Sequence, residues 1–600
     1  MMRWWFILLL PLSIMAQDSG PLFHLNFEKT EARIIFDEVS RQSGWIFSYS
    51  AFNDKMPVTI RLSDANESEL FTELSRKCNA SFKRKGKYII VKPAVREDKY
   101  FIHTGEITDM ESGLPLYEAS IYNSTQKIVV NSDPSGSFKI KAKEGTKALK
   151  LRIAKENYLD TTVMIYIGEG SELHIQMRRK REDEVISSID TRQTSPSFAD
   201  TSGVSGFQSN LSRSIAAHEP SKAFWENIIK KNPNFNNITE KFTTAVAFSL
   251  VPPISTNKLL SGNTKNIVAI NVLTGYSAGI DAIEVAGLVN FDRGDVRFVQ
   301  AAGLSNMVQA NVYGVQAAGL YNAISSDMGG VQAAGLFNLT EGKSMGAQIG
   351  GLGNYAAVTH GVQAAGLGSI TAGRVSGAQL GGLFNFSGGT IGAQIAGLSN
   401  MSGRVKGVQI SGLFNYADTL TGVQIGLINI SKTAKTGLPI GLINIVGNGY
   451  HKLELSYEDH GFSSLAFRTG TRLFHTSFIG GLKNSSEKPI VQYGMGFGTS
   501  LRTFRKVYLD LEVQLKTVSR FGDVWRNYNP YGQFFSGLQL QIFKNIGLRF
   551  GPTFNLARVR NLSGQPDITP DFVPAHAVVT NYGFGDHYQW LGWKASLTLF

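Results

Sequence analysis

Residues 331–338 read VQAAGLFN, and variants of this unit recur from about residue 284 to residue 446. Two columns of amide side chains mark the repeat. Asparagine stands at positions 290, 306, 322, 338, 354, 385, 400, 415, 429 and 444, and serine replaces it at 369. Glutamine stands at positions 300, 316, 332, 348, 363, 379, 394, 409 and 424. Self-similarity at a fixed period of 14 to 16 residues is typical of a stacked-repeat architecture.

One period of this array has room for two short strands and two turns. A coil of that length cannot bury a face of its own, whereas stacked coils bury a continuous core and pair their backbone groups with their neighbours. Asparagine beside glycine at one recurring position favours a ladder in which side-chain amides bond along the stacking axis. We therefore predict a β-solenoid-like repeat region over residues 241–449.

The competing interpretation makes each period one strand of a transmembrane barrel, with about ten residues in the strand and a turn between strands. Loops of such a barrel alternate between short and long, but every connection in this array is similarly short. We favour the solenoid for that reason. The shorter form VQIGLIN, at residues 423–429, resembles a bacterial surface repeat family.

Residues 450–600 change to the two-residue alternation of amphipathic strands. Between 507 and 516, for example, Val and Leu alternate with Tyr, Asp, Glu, Gln and Lys. We predict eight such strands, at 451–458, 463–472, 474–483, 489–501, 505–517, 533–543, 547–557 and 588–600. Each is about as long as a tilted strand must be to cross hydrocarbon, and about eight strands make the smallest common barrel. The prediction is a C-terminal antiparallel membrane barrel; the alternative is a soluble β-sandwich that buries the same faces.

The two ends of the chain favour export to the outer membrane. Residues 1–16 place Arg3 before an apolar run of about a dozen residues, which is typical of a signal peptide and too short to span a bilayer. Phe600 closes an alternating strand and resembles the sorting signal of outer-membrane proteins. Four aromatic residues near strand ends are candidates for girdles at the membrane interfaces: Tyr457, Tyr531, Trp590 and Trp593.

Residues 21–93 predict a small α+β domain with the order β-α-β-β-α-β-β. We expect Thr30 to cap the first helix and Gly44 to end it. We expect Asn66 to begin the second helix and Gly86 to turn a closing hairpin.

The pattern FHLNF…IIFDEVSRQSG…FSYS…VTIRLSDANESELFTELSRKCN…YIIVKP in this segment resembles the short N-terminal domain of secretins and some TonB-dependent receptors, the STN domain. The resemblance covers about 70 residues and implies a periplasmic module that contacts other proteins and is not an enzyme. His24 stands on a predicted strand with no acid–nucleophile pair nearby, and we interpret Cys78, the single cysteine, as an ordinary part-buried thiol.

Residues 100–178 are rich in short strands separated by turn signals, and about seven strands at this spacing predict an antiparallel β-sandwich. The elements GEITD…SGLPLYEASIY…SDPSGSFKI resemble the carboxypeptidase-regulatory-like domain. That resemblance implies a sandwich without peptidase chemistry, of a kind that commonly precedes outer-membrane β-proteins. We interpret Asp109 and Asp133 as turn-forming side chains; calcium ligation is the alternative.

Residues 179–240 predict a linker with one short helix at 223–229. The segment is rich in Ser, Thr, Gly and Gln and offers few residues that could pack. It begins with the basic cluster 178–181, which we interpret as solvated, with contact to anionic lipid as the alternative.

The composition excludes several classes of protein. One cysteine in 600 residues rules out a disulfide scaffold and any cysteine-based zinc or iron–sulfur site. After the signal peptide no stretch of about 20 apolar residues occurs, so membrane insertion would require a β-barrel. The net charge of +12 is spread along the chain, and we expect no nucleic-acid partner.

The repeat array lacks the acid pair of a glycosidase. Between residues 301 and 450 its only carboxylates are Asp327, Glu341 and Asp418, and its only imidazole is His360; they fall in different repeats. Because glycoside hydrolysis needs two neighbouring acids, we expect no catalytic residue in the array. We also expect no cofactor and no metal site.

The sequence as a whole predicts a non-enzymatic, outer-membrane-associated surface or assembly protein. Its N-terminal domains would bind a periplasmic or envelope protein, and its barrel would contact outer-membrane lipid. The alternatives are a secreted or periplasmic soluble scaffold or adhesin and, less favoured, a carbohydrate-active β-helix.

Overall fold

The computed structural model describes residues 21–49, 52–93, 100–143, 148–166, 172–181, 233–522, 529–543, 545–559, 568–581 and 586–599. The predicted signal peptide, the predicted helix at 223–229 and Phe600 lie outside these residues. The chain divides into two compact units, one drawn from Met1–Ile102 and Lys141–Lys147 and the other from His103–Ile140 and Ala148–Phe600.

The N-terminal domain has the predicted element order. Its elements are β1 (Phe23–Glu31), α1 (Ala32–Ser43), β2 (Ile46–Ser48), β3 (Pro57–Ala65), α2 (Glu67–Cys78), β4 (Ala80–Lys85) and β5 (Tyr88–Pro93). Strands β1 and β3 pair antiparallel, while β5 lies between β2 and β4. Both helices bury an apolar stripe against these sheets, so that Phe36 and Leu74 are almost fully buried.

Three of the four predicted helix and turn signals act as expected. Asn66 forms a capping box, in which its Oδ1 accepts from the Glu69 N–H at 3.0 Å. Gly44 ends α1 with φ +72°, and Gly86 turns the β4–β5 hairpin with φ +63°. The prediction for Thr30 is wrong: it pairs with Val58 in the β1–β3 ladder, so the strand continues to Glu31 and α1 begins without a side-chain cap.

The second domain is a sandwich of two sheets. Its strands are β6 (Tyr100–Asp109), β7 (Ser120–Asn123), β8 (Ile128–Asn131), β9 (Ser137–Lys143), β10 (Ala148–Ala154), β11 (Thr161–Tyr166) and β12 (Leu173–Met177). One sheet has the order β11-β10-β7-β8 and the other β12-β6-β9. The predicted antiparallel arrangement is wrong for one pair, since β12 runs in the same direction as β6.

The last residues of the predicted linker pack on this sandwich. A short helix, α3 (Asn234–Asn237), places Asn234 within 2.7 Å of the Ser120 hydroxyl. Glu240 forms an ion pair with Arg152 and accepts a hydrogen bond from Tyr122 at 3.1 Å. These polar contacts attach the start of the repeat array to the second domain.

The repeat region is a β-solenoid-like stack of about 11 turns. Its strands are β13 (Phe242–Val251), β14 (Ile254–Ser255), β15 (Thr264–Asn271), β16 (Thr274–Ser277), β17 (Ile280–Ala286), β18 (Val289–Asp292), β19 (Val296–Ala302), β20 (Ser305–Val308), β21 (Val312–Ala318), β22 (Tyr321–Ile324), β23 (Met328–Ala334), β24 (Phe337–Gly350), β25 (Gly353–Ala365), β26 (Gly368–Gly381), β27 (Phe384–Ala396), β28 (Ser399–Ser411), β29 (Phe414–Leu420), β30 (Val423–Ile425), β31 (Ile428–Ala434), β32 (Leu438–Ile440) and β33 (Ile443–Val446). A 3-10 helix at Lys258–Asn263 precedes β15.

Equivalent strands of successive coils pair parallel and in register. Val331 and Gln332 of β23, for example, lie beside Ala347 and Gln348 of β24. The solenoid prediction is therefore confirmed over the barrel-strand alternative for this region, since barrel neighbours would run antiparallel.

A column of glycines makes close stacking possible at one bend of each coil. Gly314, Gly330, Gly346 and the glycines paired with them in the following coils, up to Gly407, have φ between +123° and +142°. A Cβ added to Gly330 would lie 2.1 Å from the carbonyl oxygen of Gly314. Both the conformation and the approach of the neighbouring backbone require glycine there.

The C-terminal region is a closed antiparallel barrel of eight strands, as predicted. Its elements are β34 (Lys452–Glu458), β35 (Ser463–Gly470), β36 (His475–Lys483), β37 (Ile490–Phe504), β38 (Val507–Arg520), β39 (Asn529–Phe543), β40 (Ile546–Val559), α4 (Thr569–Phe572), β41 (Val578–Asn581) and β42 (Asp586–Leu599). Pairing of β34 with β42 closes the barrel, and β41 adds to the end of β42 beyond β34. Neither β41 nor α4 was predicted.

Candidate functional site

The interior of the barrel is charged. Strand alternation turns four acids and four bases inward, and all of them are at most 3% exposed: Glu454, Glu458, Asp510, Glu512, Arg468, Lys516, Arg549 and Lys594. Opposite charges are equal in number, which is the condition for burying ions without leaving an uncompensated charge. An eight-stranded barrel is just wide enough for side chains to fill it, so these residues occupy the lumen.

Arg549 lies at the centre of this network. Its guanidinium contacts three acids: Glu454 at 3.2 Å, Glu512 at 2.8 Å and Asp510 at 3.0 Å. Arg468 reaches the same three carboxylates from β35. Because the planar guanidinium presents donors on several sides, two arginines pair with three acids that come from two different strands.

A second cluster lies toward the end of the lumen that is farther from the solenoid. Lys516 Nζ is 3.2 Å from Glu458, and the ring of His460 is 3.3 Å from the same carboxylate. Aromatic rings cover this cluster, among them Tyr531 and Trp590, which stack with centroids 5.7 Å apart. The girdle prediction is therefore wrong for these two residues, since they point into the lumen rather than outward.

The outer surface of the barrel is apolar. Side chains that alternate with the charged ones point outward and are exposed, such as Leu591 at 71%, Phe550 at 62% and Leu515 at 59%. Tyr457 and Trp593, the other two girdle candidates, are on this outer face with ring centroids 6.2 Å apart. Soluble proteins bury apolar side chains and expose polar ones, and this barrel has the opposite distribution. An apolar exterior around a polar interior is typical of a lipid-facing barrel.

The connections at the two ends of the barrel differ in length. At the end beside the solenoid they are short: residues 471–474, 505–506 and 544–545. At the far end 459–462 is as short as 471–474, but 484–489, 521–528 and 560–585 are longer, and the last of these includes α4 and β41. Transmembrane barrels of the bacterial outer membrane show this asymmetry, with short turns on the periplasmic side and long loops outside.

The interior of the solenoid carries two ladders of uncharged amides, a Gln ladder and an Asn ladder that is interrupted at Ser369. In one, Asn290 Nδ2 donates to Asn306 Oδ1 at 2.9 Å and also to the Ala301 carbonyl at 3.0 Å. The second bond fixes the amide orientation, because a carbonyl can only accept. In the other ladder, Gln316 Nε2 donates to Gln300 Oε1 at 2.8 Å. The asparagines donate to the next coil and the glutamines to the preceding one, so the two rows of dipoles oppose each other.

The Asn ladder ends in the barrel. Asn444, its last member, donates to the hydroxyl of Thr476 on β36 at 3.1 Å. Thr476 in turn donates to the carbonyl of Gly441 at 2.9 Å, and Thr469 donates to the carbonyl of Asn444. The polar core of the solenoid thus abuts the polar lumen of the barrel through buried hydrogen bonds.

A buried pair of acids at the start of the Gln ladder escaped the sequence analysis. Glu284 stands one period before Gln300, and the Gln300 amide donates to Glu284 at 2.7 Å and to Asp292 at 2.5 Å. Burial and the charge of Asp292 hold the pKa of Glu284 well above its usual range, and burial raises that of Asp292 to about 6. The signal in the sequence is the spacing, because extending the Gln column by one coil toward the N-terminus leads to Glu284.

The acids that the sequence singled out serve local structure. Asp327 accepts from the Lys343 N–H at 2.7 Å in the next coil, and Asp418 pairs with Lys432 at 3.0 Å. Asp109 accepts from two backbone N–H groups of its turn and pairs with Arg179 of the basic cluster at 2.9 Å. Hydrogen bonds from Tyr158 and this turn lower the pKa of Asp109.

The remaining candidates also have structural positions. The Asp133 carboxylate accepts from the N–H groups of Ser135 and Ser137, which confirms its turn-forming role. His24 lies 3.2 Å from the exposed Asp64. Cys78 is almost fully buried at the end of α2. Within the residues that the structure describes, no group of three or more His, Cys, Asp or Glu is placed to hold a metal ion.

In the described part of the chain, no helix has both the length and the apolar character needed to cross a membrane. Comparison of the sequence with protein-family models, with curated proteins and with solved structures gives no match. The resemblances to the STN domain, to the carboxypeptidase-regulatory-like domain and to a surface repeat family therefore stay predictions.

Proposed function

We propose that this chain is a non-enzymatic outer-membrane protein in which the barrel is the anchor and the solenoid projects from it on the periplasmic side. The carrying observation is the inverted pattern of the barrel, with ion pairs inside and exposed Leu, Phe and Trp side chains outside. Removing such an exterior from water is favourable by about 25 cal/mol per Å². A bilayer supplies that environment around the whole circumference.

The loop asymmetry supports the orientation. Both termini of the barrel, Lys452 and Leu599, lie at the end that carries the short turns. In the proposed arrangement this end faces the periplasm, so the solenoid and the N-terminal domains are periplasmic too. There the two N-terminal domains bind an envelope protein, and the solenoid holds the sandwich domain at a set distance from the membrane.

The lumen supports an anchoring role rather than a pore. Arg549 and Arg468 with their acids fill its middle, and the aromatic cluster around Tyr531 fills the loop end. Reconstituted protein should therefore give no steady ion conductance in a planar bilayer.

Fractionation of cells that express the full chain tests the proposal. We expect the protein in the outer-membrane fraction, with faster gel migration before boiling than after. An epitope tag placed between β40 and α4 should be accessible to antibody on intact cells, while the same tag in the β39–β40 turn should not. Recovery of the intact protein in the soluble periplasmic or secreted pool, without heat-modifiable migration, would instead support the soluble scaffold or adhesin.

A further inference from the structure

The outer face of the solenoid carries two columns of apolar side chains beside the Gln ladder. Because side chains alternate along a strand, both neighbours of each inward glutamine point outward. In seven successive coils, from Gln300 to Gln394, one of these neighbours is large and the other is alanine. We call the two columns, over these seven coils, the paired columns. Their large residues are 36–52% exposed: Val299, Val315, Val331, Ile349, Val362, Leu380 and Ile395.

The large residue changes sides along the paired columns. It precedes the glutamine in the first three coils, as in Val331–Ala333, and follows it in the fourth, Ala347–Ile349. The fifth coil reverts to the first order in Val362–Ala364, and the last two coils again place the large residue second. The order of large and small residues is therefore irregular, so a partner that fits the whole strip must carry the same irregular order. No charged residue stands in these columns.

Holes lie where alanine follows the glutamine. The alanines of the first three coils form the floor of a groove of about 550 Å³. Ala364 lies between Ile349 and Leu380 of the neighbouring coils and lines a second hole of about 400 Å³. On the other side of the same glutamine, Val362 projects between alanines of both neighbouring coils. A knob and a hole thus occur side by side at one level of the stack.

A second copy in the same orientation fits this pattern. When two such faces meet about a two-fold axis parallel to the stack, the column before the glutamine lies against the column after it, level by level. Every large residue then meets an alanine; Val362, for example, enters the hole at Ala364 of the second copy. An antiparallel copy would lay each column against its own reverse. At full overlap Val331 would then collide with Val362, and Ala347 would leave a void against its own counterpart.

The paired columns are about as large as the smallest specific interfaces. Seven coils at about 4.8 Å and four residues at about 3.3 Å give a strip of roughly 34 Å by 13 Å. Two copies would cover about 900 Å² between them, just below the area expected of a stable dimer in solution. In the proposed function both barrels lie in one bilayer in the same orientation, which lowers the entropic cost of association.

The coils on either side of the strip lack the alternation. Both neighbours are large there, as in Ile283 and Val285 before it and Val408 and Ile410 after it. The matching surface therefore begins after the first coils of the solenoid and ends before the barrel.

We propose that the chain forms a parallel two-fold dimer through the paired columns, with Val362 of each copy in the Ala364 hole of the other. The inference goes beyond the proposed function, because it names a second copy of this chain as the partner of the solenoid. The register follows from the side chains of the solenoid. The shared orientation in a bilayer assists the pairing and rests on the proposed function.

Cross-linking between two co-expressed versions of the full chain tests the register. Both carry Cys78→Ser, which removes the single native thiol. One version also carries Val362→Cys, the other Ala364→Cys, and each has its own epitope tag. A short bis-thiosulfonate reagent added to isolated membranes should link the two tagged chains, with lower yield from either version alone. The control pair, Phe337→Cys with Leu339→Cys, flanks an inward residue of the Asn ladder and should give no product.

A size swap at the same level tests the fit. Ala364→Leu fills the hole and should still fold, because Ile349 and Leu380 occupy this position in the neighbouring coils. Overpacking should weaken association about tenfold, measured by single-molecule photobleaching in liposomes at low protein density. The double variant Val362→Ala, Ala364→Leu again has one large and one small residue, so it should dimerise with itself as the wild type does. Mixed pairs of this variant with the wild type should stay rare.

The outcomes separate this inference from the proposed function. Outer-membrane protein that gives no product between positions 362 and 364 would overturn the dimer and leave the anchor standing. A double variant no more dimeric than Ala364→Leu, or equal yield from Val362→Cys alone, would also overturn it. The expected cross-link in protein recovered from the soluble pool, without heat-modifiable migration, would support the dimer and reject the membrane anchor.

Discussion

The solenoid and the barrel are both polar inside and apolar outside, but they satisfy their interiors in different ways. The solenoid uses carboxamides, each of which donates at one end and accepts at the other, so that Gln316 bonds to Gln300 and Gln332 bonds to Gln316. The barrel uses ions, where Arg549 only donates and Glu454 and Glu512 only accept.

This difference explains why one region repeats and the other does not. A carboxamide can bond to a copy of itself in the next coil, so the same residue serves at every level of a parallel stack. A carboxylate beside its own copy would repel it, so ions need a non-repeating arrangement of opposite charges from different strands. The barrel is therefore a closed unit of fixed size, whereas the solenoid is an open series.

The largest effect should come from breaking the ion network. Arg549→Met leaves Glu454, Glu512 and Asp510 short of a buried partner, and such a loss costs about 3–5 kcal/mol. We expect the barrel to unfold at clearly lower urea concentration, measured by loss of heat-modifiable migration. Arg502→Met, in the exposed β37–β38 turn region, is the control and should change little. Equal stability of the two variants would show that the ion network does not stabilise the barrel.

A cut in the amide ladder should cost less because the missing partners are uncharged. Gln363→Leu removes the bonds to Gln348, Gln379 and Thr371, each 2.7–2.9 Å long. Leaving these buried groups unpaired should lower the unfolding free energy by about 2–4 kcal/mol. Chemical denaturation followed by circular dichroism measures this change in unfolding free energy. Val362→Leu, which changes the outward neighbour, should stay within about 0.5 kcal/mol.

The acid pair at the start of the ladder predicts that the stability of the solenoid depends on pH. Since the folded-state pKa values of Glu284 and Asp292 are both raised, their contribution to stability is complete below the ordinary carboxyl range. It is lost as the pH rises through about 6 for Asp292 and higher for Glu284. Denaturation midpoints should therefore fall as the pH rises from the ordinary carboxyl range through about 6 and beyond it.

Replacing one acid with the residue that continues the ladder should remove much of this dependence. In Glu284→Gln the amide can donate to Asp292 and accept from Gln300, with no proton needed. The fall in denaturation midpoint should become smaller. Asp281→Asn, at a part-exposed ion pair with Lys265, is the control and should keep the wild-type pH profile. An unchanged profile in Glu284→Gln would show that the pair does not titrate in this range.

The smallest effect concerns the single gap in the Asn ladder. Ser369 meets Asn354 only at 3.4 Å, whereas the uninterrupted contacts are 2.9–3.0 Å. Ser369→Asn should restore the ladder and raise the unfolding free energy by about 0.5–1.5 kcal/mol. A lower denaturation midpoint would mean that this coil has no room for the longer side chain.

Much of the fold followed from the sequence because both β regions are periodic. The eight barrel strands were predicted to within four residues, since Val513 and Leu515 alternate with Glu512 and Gln514 and every strand has the same two-residue pattern. The solenoid followed from the recurrence of Asn and Gln in every coil. Elements without such a period, α4 and β41, were missed.

The candidate site was less predictable because it depends on which inward residues meet. Glu454 and Arg549 are 95 positions apart, and only barrel closure brings them together. The same holds for Tyr531 and Trp590, whose place at strand ends suits either a girdle or a lumen plug. The Glu284–Asp292 pair lies within one coil but resembles ordinary surface acids until the Gln column is extended to it.

The opposed directions of the two amide ladders affect how the length of the solenoid can change in evolution. Their dipoles cancel coil by coil, so inserting or deleting one 15- or 16-residue unit leaves the electrostatics of both ends unchanged. Each unit would shift the sandwich relative to the barrel by about 4.8 Å. The distance between the sandwich and the barrel can thus be tuned in small steps, without redesigning either terminus of the stack.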